Sequence, residues 1–144
     1  MWVDKEKLCR EADVISLHIP LTRDTRNFIG REELSMMKPN AFLVNTARGG
    51  LIDEDALVDV LRAGGIAGAG LDVFSEEPYL GDLTSLENCL LTCHMGSMTQ
   101  EARLRMEVEA VENVGCFLKG APIPYPVPEF EYRIQSEATL GNRT

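Results

Sequence analysis

Four short apolar runs constrain this chain more than any other feature. They are Asp13-Val-Ile-Ser-Leu-His-Ile19, Ala41-Phe-Leu-Val-Asn45, Ile66 to Phe74, and Cys89 to Cys93. Runs this short and this apolar read as buried strands of a parallel sheet. Helical stretches alternate with them. Asp4 to Glu11 precedes the first run. Arg31 to Met37 follows it, and Pro39 closes that helix. Asp53 is placed to cap the next helix, with Glu54 and Asp55 at its positive end. Leu57, Val60 and Leu61 form that helix's core stripe, and Gly64-Gly65 ends it. Strands alternating with helices imply an α/β architecture, a parallel sheet covered on both faces. The small residues Ala67 to Gly70 allow close backbone approach, by a packed helix in preference to a ligand.

A loop rich in turn residues fills Ser75 to Asn88. Beyond the fourth run, Ser97-Met-Thr-Gln100 fits a capping box. A helix is predicted from about Thr99 to Lys119, with Leu104, Val108, Val111, Gly115 and Leu118 on one face. Prolines at 122, 124, 126 and 128 predict an extended or mobile tail.

The balance of residues narrows the function. The 144 residues are 44% hydrophobic and 26% charged, which suits one globular domain or a piece of a larger one. A net charge of −9 argues against a nucleic-acid surface, which needs a basic field. No apolar run approaches the ~20 residues that span a bilayer. The charged start, Met1 to Glu6, lacks an apolar signal core, so a cytoplasmic protein is expected. The cysteines at 9, 89, 93 and 116 form no C-x-x-C pair, and a disulfide framework is not expected. Cys89 and Cys93 stand roughly 13 Å apart along a strand, too far to share one zinc ion, so no metal is expected.

Ligands of open α/β sheets bind at the carboxyl ends of the strands. Four loops leave that edge here: His18 to Thr22, Asn45 to Gly50, Asp72 to Pro78, and His94 to Ser97. They bring an Arg, carboxylates and a His to one region. The guanidinium fork of Arg matches a carboxylate in two hydrogen bonds. His gives or takes a proton near neutrality, and a carboxylate beside it fixes its tautomer. Together they suit an acid with an adjacent hydroxyl or keto group. The same residues also occur as solvated loop charge and structural histidine. No G-x-S-x-G elbow, P-loop or H-E-x-x-H is present.

Four segments in order resemble the D-isomer-specific 2-hydroxyacid dehydrogenases, a family that includes phosphoglycerate, glycerate, lactate and formate dehydrogenases. They are Ala12-Asp-Val-Ile-Ser-Leu-His-Ile-Pro-Leu-Thr22, Phe42-Leu-Val-Asn-Thr-Ala-Arg-Gly-Gly-Leu-Ile-Asp53, Gly70-Leu-Asp-Val-Phe-Ser-Glu-Glu-Pro78 and Leu91-Thr-Cys-His-Met-Gly-Ser97. The resemblance covers about residues 3 to 120. It implies an NAD-dependent oxidoreductase that interconverts a D-2-hydroxy acid and a 2-keto acid by hydride transfer. By position, Arg48 would bind the substrate carboxylate and keto oxygen. Glu77, directly before Pro78, would pair with His94, and His94 would protonate the keto oxygen. Asp72 would contact the carboxamide side of the nicotinamide. Thr46, Ala47, Met95, Gly96 and Ser97, with Arg48 and His94, would line the cofactor, and Pro20 and Thr25 would border its adenosine and ribose side. Gly49 and Gly50 would let the chain turn sharply beside Arg48.

Three departures from the family pattern stand out. Cys93 replaces the usual Pro before the histidine, which is expected to loosen the loop that aims His94. Met95 replaces the usual Ile or Val. No G-x-G-x-x-G is present. The four strands therefore resemble the second half of a Rossmann-type doubly wound sheet, and the chain reads as a fragment. Residues 1–120 would be a partial NAD-binding domain. Residues 121–144 would be a Pro-rich tail, a remnant of the substrate domain or mobile. Without the glycine-rich phosphate loop the chain is expected to bind NADH weakly. The full-length protein would be a homodimer acting on a small 2-hydroxy or 2-keto acid. The alternative is a non-catalytic nucleotide-sensing or protein-interaction module on the same fold.

Overall fold

The computed structural model describes residues 2–126. The described residues divide into two compact units, one ending at His94 and the other beginning at Met95.

The first unit alternates helix and strand as its sequence predicts. Helix α1 spans Lys5–Glu11, and the Asp4 carboxylate accepts the Lys7 N–H at its start. Strand β1 (Val14–Leu17), helix α2 (Arg31–Met36), strand β2 (Phe42–Asn45) and helix α3 (Glu54–Arg62) follow. Strand β3 (Gly68–Leu71), a 3₁₀ turn over Asp82–Ser85 and strand β4 (Cys89–Leu91) complete the unit. Asp53 caps α3 as expected, its carboxylate accepting the Ala56 N–H at 3.0 Å. Gly64, at φ +66°, ends it. The four strands are all parallel, in the order β1-β2-β3-β4.

Register divides the sheet into two unlike faces. Ile15, Leu43 and Ala69 lie side by side, as do Leu17, Asn45 and Leu71, and all six are buried. The apolar members join Cys9 of α1, Leu34 of α2 and Leu57 and Leu61 of α3 in one core. Each large aliphatic side chain buried there stabilises the fold by about 1.5–3 kcal/mol. The other face carries Val14, Phe42 and Leu90, all exposed. Within this unit, the cover expected on both faces is supplied on one. The three helices of this unit share one core, and a strand turns only alternate residues toward it.

The small residues of β3 also need a corrected account. A Cβ on Gly68 would lie 2.8 Å from the Asn88 carbonyl oxygen and 3.1 Å from the Phe42 ring, while one on Gly70 would meet nothing within 4 Å. At Gly68 a neighbouring ring and carbonyl make the close approach, while Ala69 packs into the core that the helices share.

In the second unit, helix α4 spans Gln100–Leu118. Its cap is Thr99, whose hydroxyl accepts the Ala102 N–H at 3.1 Å, in place of the cap at Ser97 that the capping box predicts. Arg103 pairs with Glu107 and Arg105 with Glu109, each at 2.7 Å. None of its residues is buried, and Leu104, Val108, Val111 and Leu118 are exposed. The start of the expected tail bonds back to the helix: Asn113 donates to the Tyr125 carbonyl and accepts the Tyr125 N–H. The rest of that tail, Pro128 included, lies outside the described residues. No helix among the described residues is long and apolar enough to cross a membrane.

Candidate active site

Because all four strands run the same way, their carboxyl ends share one edge, and the loops leaving it are braced against each other. After β1, the Thr22 and Thr25 side chains bond reciprocally to each other's backbone N–H. The Thr25 hydroxyl also donates to the Pro20 carbonyl at 2.7 Å. Pro20 and Thr25, separated by five positions, are thus held together. The Asn27 N–H then donates to the Gly50 carbonyl at 2.8 Å, which ties the first loop to the second.

The second loop is folded by Asn45. This side chain is buried at the end of β2. Its amide donates to the Arg48 carbonyl at 2.9 Å, and its carbonyl accepts the Ala47 N–H at 3.1 Å. Thr46, Ala47 and Arg48 form the turn that results. The Arg48 side chain is exposed and donates to the adjacent Ala47 carbonyl at 2.6 Å. The two glycines that follow serve different needs. Gly50 has φ +78°, a conformation that favours glycine. Gly49 is required by proximity, since a Cβ there would lie 1.8 Å from the Phe74 carbonyl oxygen. The turn expected of both glycines is thus the role of Gly50 alone. Gly49 lets the Arg48 loop touch the loop that carries Glu77.

The third and fourth loops meet at Asp72 and at the Glu77–His94 pair. Asp72 is buried, and its carboxylate accepts the Thr92 hydroxyl at 2.5 Å. The Asp72 N–H donates to the Asn45 carbonyl, and its own carbonyl accepts the His94 N–H at 2.8 Å. The chain is therefore pinned on both sides of Cys93. The loosening expected from a Cys in place of Pro is opposed by these two bonds. His94 itself has φ +54°.

Glu77 is the carboxylate in contact with the histidine. One oxygen stands 3.1 Å from His94 Nδ1 and the other accepts the Phe74 N–H at 3.1 Å. The bond to His94, with help from the Phe74 N–H, holds the Glu77 carboxyl below its ordinary pKa. A carboxylate at Nδ1 favours the tautomer with its proton there, which leaves Nε2 to exchange a proton with a ligand. A cavity of about 400 Å³ adjoins the pair, walled by Phe74, Pro78, Tyr79, Leu91 and Cys93. Phe74 and Tyr79 stack with ring centroids 4.7 Å apart.

The thiols take no comparable part. All four cysteines are free, and burial pushes the Cys89 thiol up to about 11, so it stays protonated near neutrality. Met95, Gly96 and Ser97 belong to the second unit, in the segment that leads to α4.

Three residues important to this geometry carry no individual role in the sequence reading. Asn45 and Thr92 stand inside the quoted segments, and their position at strand ends was the available signal. The third is Glu54. It reads as a helix-start charge, yet its carboxylate accepts the Ser75 N–H at 2.7 Å from 21 positions away.

Comparison with known proteins agrees with this arrangement. The family model described as D-isomer specific 2-hydroxyacid dehydrogenase, NAD binding domain, matches residues 1–96. The glyoxylate reductase of Thermococcus litoralis is 52% identical over 120 residues, covering 83% of this chain and 36% of that protein. Among solved structures, a glyoxylate reductase from Paecilomyes thermophila superposes with a TM-score of 0.84 at 39% identity, over 89% of this chain and 39% of that one. A D-lactate dehydrogenase with NAD+ from Lactobacillus jensenii gives 0.78 at 30% identity, over 88% and 43%. The chain spans about a third of the length of the glyoxylate reductases it matches. The parallel α/β half-sheet, the order of its edge loops and these matches lead to one conclusion: the chain belongs to the D-isomer-specific 2-hydroxyacid dehydrogenase family, in its NAD-binding domain.

Proposed function

We propose that this chain carries the acid–base pair and substrate arginine of an enzyme that interconverts a D-2-hydroxy acid and a 2-keto acid. The observation that carries this reading is the contact between Glu77 and His94 Nδ1. A histidine held in one tautomer by a carboxylate, at the ligand-binding edge of a parallel sheet, is equipped for proton transfer.

The residues at that edge also suit a dinucleotide. Thr46 is exposed at the turn built by Asn45, and the Thr25 hydroxyl fixes the Pro20 corner in the chain's first loop. Asp72 is a buried carboxylate at the same strand edge, held by the Thr92 hydroxyl. Thr46, Ala47 and Arg48, with Asp72 and His94, would line the nicotinamide side, and Pro20 and Thr25 the adenosine and ribose side. When bound, the nicotinamide supplies or accepts the hydride.

The chain's own residues supply the rest. The Arg48 guanidinium grips the substrate carboxylate and orients the keto oxygen. In the reducing direction, His94 Nε2 delivers a proton to that oxygen. In the oxidising direction it removes the same proton from the alcohol. Glu77 holds the Nδ1 proton and stabilises the imidazolium form. Residues 1–120 form the NAD-binding part in this reading, and residues beyond 120 the path toward a substrate domain. The whole protein acts as a homodimer.

The test is made on the protein that carries this chain. NADH consumption is followed with glyoxylate, hydroxypyruvate and pyruvate, and the chirality of the glycerate and lactate formed from the latter two is determined. The reading expects consumption that depends on the keto acid and yields a D-2-hydroxy acid. No consumption with any keto acid would overturn it. Sedimentation at several concentrations checks the dimer.

A further inference from the structure

We infer that Glu54 is a positioning residue for the Glu77–His94 pair, acting through the backbone of Ser75. This rests on the reading that His94 exchanges a proton with the substrate.

Glu54 opens α3, but the helix does not need it as a cap. Asp53 already accepts the Ala56 N–H. The Glu54 carboxylate instead accepts the Ser75 N–H at 2.7 Å, across 21 positions of sequence. The adjacent N–H, that of Phe74, is taken by Glu77 at 3.1 Å. Two consecutive N–H groups of this loop are thus held by two carboxylates. One is fixed to a helix of the core, and the other touches His94 Nδ1. The close approach of Gly49 to the Phe74 carbonyl confines the same peptide from its other side. The loop's position, and with it the distance from Glu77 to the imidazole, is set by what holds Phe74 and Ser75. α3 is anchored through Ala56, Leu57 and Leu61, which are all buried. Glu54 therefore transmits the rigidity of the core to a half-exposed pair.

The charge of Glu54 is not what the pair needs. Its useful property is an acceptor at full side-chain reach. Glu54→Gln keeps that acceptor and should preserve the pair. Glu54→Asp keeps the charge beside the helix N-terminus but is one methylene short, and should not. Glu54→Ala removes both.

The readout is the proton position on the His94 ring. The chain contains only two histidines, so ¹⁵N spectra of the 144-residue protein resolve the ring nitrogens of His94 against His18 as internal reference. His18 bonds Ser16 and stands apart from this loop. At a pH where the ring is neutral, the unaltered chain and Glu54→Gln should show His94 mainly protonated at Nδ1. Glu54→Asp and Glu54→Ala should move it toward the Nε2–H form that free histidine favours, with His18 unchanged. If both variants keep the Nδ1–H form, Glu54 does not position the pair and the inference fails. Should Glu54→Ala not fold, Glu54→Asp decides alone. The measurement needs no cofactor or substrate, so its failure leaves the proposed reaction standing, and a failure of the reaction leaves this result unaffected.

Discussion

Two parts of the candidate site are built to different standards. The Glu77–His94 side is cross-braced: Phe74, Ser75 and His94 each have their N–H committed, and Asp72 ties β3 to β4. The Arg48 side is braced in its backbone by Asn45, but its guanidinium is exposed and, among the described residues, bonds the neighbouring carbonyl alone. The difference teaches that the fold of residues 1–94 presets the Glu77–His94 contact. Arg48, the proposed carboxylate clamp, leaves its guanidinium at the surface. In the proposed reaction a preset pair costs no reorganisation, whereas an exposed arginine is organised by the substrate it binds.

The sharpest way to break this contrast is to separate the two loops. Gly49→Ala places a Cβ 1.8 Å from the Phe74 carbonyl oxygen, where only backbone could give way. A loss of about 3 kcal/mol or more is expected, and a fall in melting temperature of roughly 10 °C. Calorimetry on the 144-residue chain would show it. Gly70→Ala, where a Cβ meets nothing within 4 Å, should be near neutral and serves as the control.

Next in size is the clamp itself. Arg48→Lys keeps the charge but loses the planar fork, and kcat/KM for a 2-keto acid should fall roughly 100-fold. Its melting temperature should stay where it was, because the guanidinium braces nothing beyond its own turn. A matching loss of stability would show that Arg48 is as structural as the pair.

Smaller effects probe the braced side. Thr92→Val removes the hydroxyl that Asp72 accepts and should cost about 1.5 kcal/mol in urea unfolding. Cys93→Ala should cost little, since the bonds that fix this segment belong to its neighbours. The smallest effect is in the acid response. Glu77 has its pKa depressed in the fold by His94 first and the Phe74 N–H second. Its contribution is therefore present above the ordinary value near about 4.3 and is lost as pH falls through the lower folded value. The stability difference between the native chain and Glu77→Gln should shrink in that window. A difference that grows toward acid would reverse the sign.

Much of this was legible before any coordinates. The strands, the Asp53 cap and the Gly64 stop follow from local chemistry and periodicity, because each depends on residues only a few positions away. Glu77 facing His94 was legible only through family resemblance, since Glu76 and Glu77 are chemically alike. What stayed hidden is long-range. The Asp72–Thr92 bond, the Glu54 hold on Ser75 and the tight seat of Gly49 each join segments 20 or more positions apart. The one-sided cover within the first unit stayed hidden for a related reason. An apolar run reveals that a strand could be covered on both sides, while the cover itself is supplied by other elements.

The central claim is that His94, held by Glu77, moves the proton of an NAD-linked reduction. The most direct measurement is kcat for NADH-dependent reduction of glyoxylate by the protein carrying this chain, with and without His94→Ala. The account predicts a fall of about 10²–10⁴-fold with the melting temperature nearly unchanged. Equal turnover in the two proteins would contradict it.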